Sequence, residues 1–181
     1  MVVRQDRLGT GARVNRAMLA AAAALGLAGV ALASPRWCLG LGGLGPIRAG
    51  MSAEQVMRLA DFPGIERKKP AGECWYLRYH GGGTDFDLMI IQDKVVRLEL
   101  NGSSTLGTFA GARIGSTEDE LKAMYGARLD IQPHKYDENG HTITMKSSGG
   151  DYGLRFETSH GKVTAIQAGP WEHLNYVEGC G

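Results

Sequence analysis

The densest group of side chains able to do chemistry is His134-Lys135-Tyr136-Asp137-Glu138, followed by His141. Imidazole, phenol and carboxylate groups this close in sequence could hold a metal ion or an anion. The flanking residues argue instead for a loop running into a strand, because Pro133 and Asn139-Gly140 supply its turns. Two histidines at positions 134 and 141 also lack the helical or hairpin spacing of dedicated metal sites. His134, Tyr136 and His141 stand as a candidate polar site, with no metal assigned to it.

Other chemistry is harder to assemble. Gly81-Gly82-Gly83 matches a phosphate loop only in composition, since it lies between two strand-like segments and no Lys-Ser or Lys-Thr follows it. Ser103, Ser104, Ser147 and Ser148 fall in turn-like stretches outside any Gly-x-Ser-x-Gly. Asp85 and Asp87 share one strand face beside a glycine turn, the usual place of a solvated edge. No catalytic residue, metal or cofactor is assigned, although the residues alone do not exclude a hydrolase.

Aromatic side chains are the better lead. Trp75, Tyr76, Tyr79 and Phe86 cluster, and Trp171 and Tyr176 follow near the C-terminus. Strand alternation sends Trp75 and Tyr79 to one face, and Tyr76, Arg78 and His80 to the other. One set is expected to pack on the helix, which leaves the other to line an exposed surface. Tryptophan, tyrosine and arginine dominate binding hot spots. Tyr76, Arg78, His80 and Trp171 are the expected partner-binding residues.

The elements that must position these residues are written twice. Gly50-Met51-Ser52-Ala53-Glu54-Gln55-Val56 recurs as Gly115-Ser116-Thr117-Glu118-Asp119-Glu120-Leu121. Ser52 with Gln55, and Thr117 with Glu120, are capping boxes that satisfy orphaned N–H groups at a helix start. Phe62-Pro63-Gly64 and Gly126 are the expected helix stops. Each helix is followed by period-two segments bounded by glycine turns, the pattern of antiparallel hairpins. They end alike, in Asp93-Lys94-Val95 and Gly161-Lys162-Val163. The repeat offset grows by three between helix and last turn, and the extra residues are placed around 132–140. The expected fold is α+β: two tandem helix-plus-three-strand repeats, residues 34–107 and 108–181, forming an antiparallel sheet covered by helices. Residues 34–44 read as a lead-in.

Composition sets the compartment. The chain is 43% hydrophobic and 22% charged, ordinary for a globular protein. Residues 1–16 carry Arg4, Arg7, Arg13 and Arg16 against Asp6, and residues 17–33 carry no charge. The stretch closes on Ala31-Leu32-Ala33 before Ser34, so residues 1–33 read as a signal peptide. An uncleaved anchor is the alternative, and the membrane is expected to matter only through that segment. Without it, sixteen basic side chains face eighteen acidic ones, which gives no reason to expect nucleic acid. The expected location is the periplasm or the exterior. There, three cysteines predict one disulfide and one spare thiol. Cys74–Cys180 is the favoured pair and Cys38–Cys180 the alternative.

Gly-Met-Ser-x-x-x-Val at residues 50–56, after an Ile-Arg strand, resembles the opening helix of the BamE (SmpA/OmlA) outer-membrane lipoproteins. Its tandem copies resemble the β-lactamase inhibitor protein. Pro133-His134-Lys135-Tyr136 and Tyr176-Val177-Glu178-Gly179-Cys180 are also similar to exported bacterial proteins of unassigned function. The resemblance implies protein binding rather than catalysis. The expected function is an exported, non-catalytic module that binds a protein partner, as an inhibitor or immunity-type protein. The alternatives are an envelope assembly scaffold, and a small enzyme or glycan binder using the His134–His141 loop.

Overall fold

Two-residue turns set the frame. Gln92 and Asp93 both take positive φ, at 49° and 58°, and His160 and Gly161 do the same at 49° and 74°. Paired positive-φ residues match the right-handed twist of flanking strands, so each closes a tight hairpin and fixes its register. The computed structural model describes residues 37–59, 64–68, 72–176 and 179–180. All of them lie in the compact unit Ser34–Gly181. The proposed signal peptide and most of the Phe62-Pro63-Gly64 helix stop lie outside the described residues.

In chain order the strands are β1 (Cys38–Gly40), β2 (Gly43–Leu44), β3 (Ile47–Arg48), β4 (Glu66–Lys68), β5 (Cys74–Tyr79), β6 (Phe86–Ile91) and β7 (Lys94–Asn101). After them come β8 (Gly107–Thr108), β9 (Leu129–Pro133), β10 (His141–Lys146), β11 (Tyr152–Ser159) and β12 (Lys162–Pro170). The helices are α1 (Ala53–Met57), α2 (Glu118–Tyr125) and α3 (Trp171–Leu174). Both predicted capping boxes form: Ser52 and Gln55 close α1, and Thr117 and Glu120 close α2. Eight strands make one sheet in the order β4-β5-β6-β7-β12-β11-β10-β9, and β3-β2-β1-β8 make a second.

The large sheet is a doubled unit. A helix followed by β4–β7 matches a helix followed by β9–β12, and the halves join where β7 pairs antiparallel with β12. Even the irregularities repeat, with a bulge between Met89 and Ile90 and another between Glu157 and Thr158. Hydrogen bonds from Gly50 N to Val95 O and from Gly115 N to Val163 O, both 2.8 Å, tie each helix entry to its own last strand.

The expectation of a helix-covered α+β sheet is wrong. The protein is mostly β, and α1 and α2, at 5 and 8 residues, are too short to cover eight strands. Each half has four strands rather than three, because β4 and β9 were missed. The stretch expected to be a lead-in is instead the start of the second sheet. Its Leu39, Leu44 and Ile47 join Leu88, Leu98, Phe156 and Ile166 in one buried cluster. The three extra residues lie only in part around 132–140, where they were expected. Leu77 pairs with Leu88 and Ile143 with Phe156, while Tyr79 pairs with Phe86 and Met145 with Leu154. One extra residue therefore precedes β10 and two sit in the β10–β11 hairpin.

Candidate interaction surface

One face of the large sheet is apolar and packs into the core. The opposite face is polar, and the register lines up Arg78, Asp87, Glu99, Gln167, Arg155 and Thr144 side by side across six strands. Alternation alone produces this, since each residue is two positions from a neighbour on its own strand's polar side. These groups are not simply solvated. Asp87 is 5% exposed, Arg97 2%, Arg155 5% and Gln167 8%.

Part of the cover is the chain's own C-terminus. After β12, α3 and the residues up to Tyr176 lie on the polar face, and Cys180 is bonded to Cys74 on β5. The arginines receive its backbone. Arg97 Nη1 donates to Tyr176 O at 2.6 Å and to His173 O at 3.4 Å, and Arg155 Nη1 donates to Leu174 O at 3.1 Å. Arg97 Nε also pairs with Glu99 Oε1 at 2.7 Å. Burial pushes the Glu99 carboxyl above its ordinary range, and the Arg97 guanidinium opposes that shift.

This strap decides the roles of the expected binding residues. Tyr76 lies under its far end, with Arg97 Nη2 donating to its hydroxyl at 3.3 Å, and burial raises its pKa. A Cβ on Gly179 would sit 2.5 Å from that hydroxyl. Trp171 lies at the near end, its ring against Gly153 and Lys146 Nζ 4.9 Å from its centroid. Both aromatics thus dock the strap. Arg78 and His80 are more open, with side chains 31% and 62% exposed. Arg78 Nε is 3.3 Å from Asp87 Oδ2 without making a hydrogen bond. Arg78 Nε, Asp87 Oδ1, Arg155 Nε and Gln167 Oε1 are all buried with no hydrogen-bond partner in the protein.

The histidine loop does not gather into a site. His134 Nδ1 accepts from the backbone N–H groups of Tyr136 and Asp137, at 3.1 and 3.0 Å, so it shapes its own loop. Its Nε2 lies 3.9 Å from Glu157 Oε2 on the polar face. His141 points to the opposite face, where its Nδ1 is 2.8 Å from Glu118 Oε1. Tyr136 is 62% exposed. Among the described residues no group of three or more His, Cys, Asp or Glu is arranged to hold a metal.

Sequence reasoning missed the Glu118–His141–Thr158 group. Thr158 Oγ1 donates to Glu118 Oε1 at 2.6 Å and receives the His141 backbone N–H at 2.8 Å. The carboxylate therefore takes the hydroxyl proton's hydrogen bond, and Thr158 is 1% exposed. A hydroxyl out of reach of substrate and bonded to the acid rather than to the imidazole is not an activated nucleophile. The trio reads as a polar joint between α2 and the sheet.

Comparison with protein-family models, with curated proteins and with solved structures returned no match.

Proposed function

We propose that this chain is an exported, non-catalytic protein-binding module, of which an inhibitor or immunity-type role is the sharpest form. The observation that carries the reading is the row of buried, incompletely partnered polar atoms on Arg78, Asp87, Gln167 and Arg155, on one sheet face beside a strap. A buried polar atom left unpaired costs about 1–3 kcal/mol, and at the end of this row the more open side chains of Arg78 and His80 are the groups a partner would meet. Electrostatic and hydrogen-bond complementarity gives specificity more than raw affinity. The Cys74–Cys180 bond is compatible with an oxidising compartment outside the cytosol, and no helix among the described residues is long and apolar enough to cross a membrane. The sequence resemblance to envelope proteins and inhibitors supports the same reading.

The test is capture of a partner by residues 34–181 from exported fractions, repeated with Arg78→Ala/His80→Ala. Both side chains are partly open, so the fold should survive. Loss of one dominant protein from the variant's eluate is expected. Equal capture by both proteins would remove this face from the argument.

A further inference from the structure

Phe109, in the turn after β8, is 79% exposed, the most exposed large apolar residue described. Its ring lies on the backbone of β1, so close that a Cβ on Gly40 would be 2.9 Å from Phe109 Cε2. Three shallow depressions share it as a wall, reaching towards Arg48, Arg113 and Arg128 in turn. All three arginines are exposed, and no Asp or Glu lines any of the three. Without residues 1–33 the chain carries more acids than bases, so an acid-free patch with three arginines does not follow from composition.

The chain also enters the fold here. Trp37, the first described residue, lines the depression that holds Arg113, and in the sequence only Ser34-Pro35-Arg36 separates it from the uncharged stretch 17–33. A protruding aromatic ringed by cations suits the boundary between lipid headgroups and acyl chains, where the ring is buried and the cations meet anionic phosphates. We propose that the Phe109 surface docks on an anionic lipid surface. This goes beyond the protein-binding reading and does not rest on it. It also departs from the expectation that only the N-terminal segment meets the membrane. The polar sheet face lies on the other side of the core from the small sheet that carries Phe109, so a docked molecule keeps it open to a partner.

The experiment is co-sedimentation of residues 34–181 with vesicles. That piece holds every described core residue and is one compact unit, and it lacks the uncharged stretch that would bind lipid by itself. Binding is expected to vesicles containing phosphatidylglycerol, not to phosphatidylcholine alone, and to fall as salt rises. Arg113→Gln should weaken it about fivefold and Phe109→Ala about tenfold, with melting temperatures unchanged. No binding to either vesicle, equal binding to both, or full binding by the Phe109→Ala/Arg113→Gln protein would overturn the proposal. So would a protein partner that needs Phe109 when vesicle binding is absent.

Discussion

Replacing Cys180 with serine should lower the melting temperature of residues 34–181 by about 10–18 °C. The bond joins positions 106 apart in sequence. In the chain-entropy account a loop of that size removes about 4.7 kcal/mol from the unfolded state's advantage. For a protein near 150 residues each kcal/mol moves the midpoint by about 2–4 °C. Arg97 still holds the carbonyls of His173 and Tyr176, and Arg155 that of Leu174, so the strap stays docked in the variant and the melt reads the unfolded-state term. Circular-dichroism melts with and without reductant are the assay. Reduced wild type should coincide with the variant, and Cys38→Ser, which removes the free thiol, should melt like wild type. A drop below about 3 °C would refute the entropic reasoning. A drop of equal size in Cys38→Ser would refute the pairing and restore Cys38–Cys180.

Two further outcomes follow from buried charge. Arg97→Met should cost about 3–5 kcal/mol by leaving Glu99 buried beside Asp87 without its cation. Adding Glu99→Gln should recover part of it, and urea midpoints that show no recovery would mean that Arg97 acts through the strap alone. At Glu118, burial would raise the carboxyl's pKa, but hydrogen bonds from Thr158 and His141, with the nearby positive charges, hold it below the ordinary 4.5. A depressed carboxyl stabilises the fold above its unfolded pKa, and that contribution is lost as pH falls through the folded value. Between neutral pH and about pH 3 the wild type should lose more stability than Glu118→Gln, and parallel midpoints across that range would refute it.

What was legible in the sequence was whatever is fixed locally. Ser52 and Thr117 with their glutamine and glutamate partners three residues on are complete signals in themselves, and both boxes formed. Cys74–Cys180 was the favoured pair and is present. Edge strands were not legible. β9 does alternate over Leu129-Asp130-Ile131-Gln132, but it is short, ends on Pro133 and is exposed along most of its length, so no buried face marks it as a strand. β1, β2, β3 and β8 are two or three residues long, too short to show a period; β2 pairs locally with β1 and β3, and β1 also pairs with distant β8, as when Cys38 pairs with Gly107. Helical cover was expected because two capped amphipathic starts were visible, but a start does not set a length. At the candidate site, alternation separated Tyr76 and Arg78 from Trp75, Leu77 and Tyr79, and the structure has them on the polar face. Alternation gave no sign that a strap would occupy Tyr76 and Trp171.

Comparing the halves position by position separates what the fold needs from what it leaves free. On the core face, Phe86 and Leu88 answer to Leu154 and Phe156, a swap that keeps the summed volume, and Leu98 answers to Ile166. On the polar face Asp87 answers to Arg155, Glu99 to Gln167 and Arg97 to Ala165, so charge is reversed or lost at each step. The joint below the helix differs as sharply: Ala53, Trp75 and Ile90 answer to Glu118, His141 and Thr158. A doubled scaffold needs one apolar pattern twice, but packing sets no charge on its outer face. There the first half, with Arg97 and Cys74, holds the strap's end, while the second half supplies its root through Arg155 and Gly153. The two halves of the polar face are therefore not interchangeable. A partner read by this face would meet it in one orientation, with Arg78 and His80 on its open side.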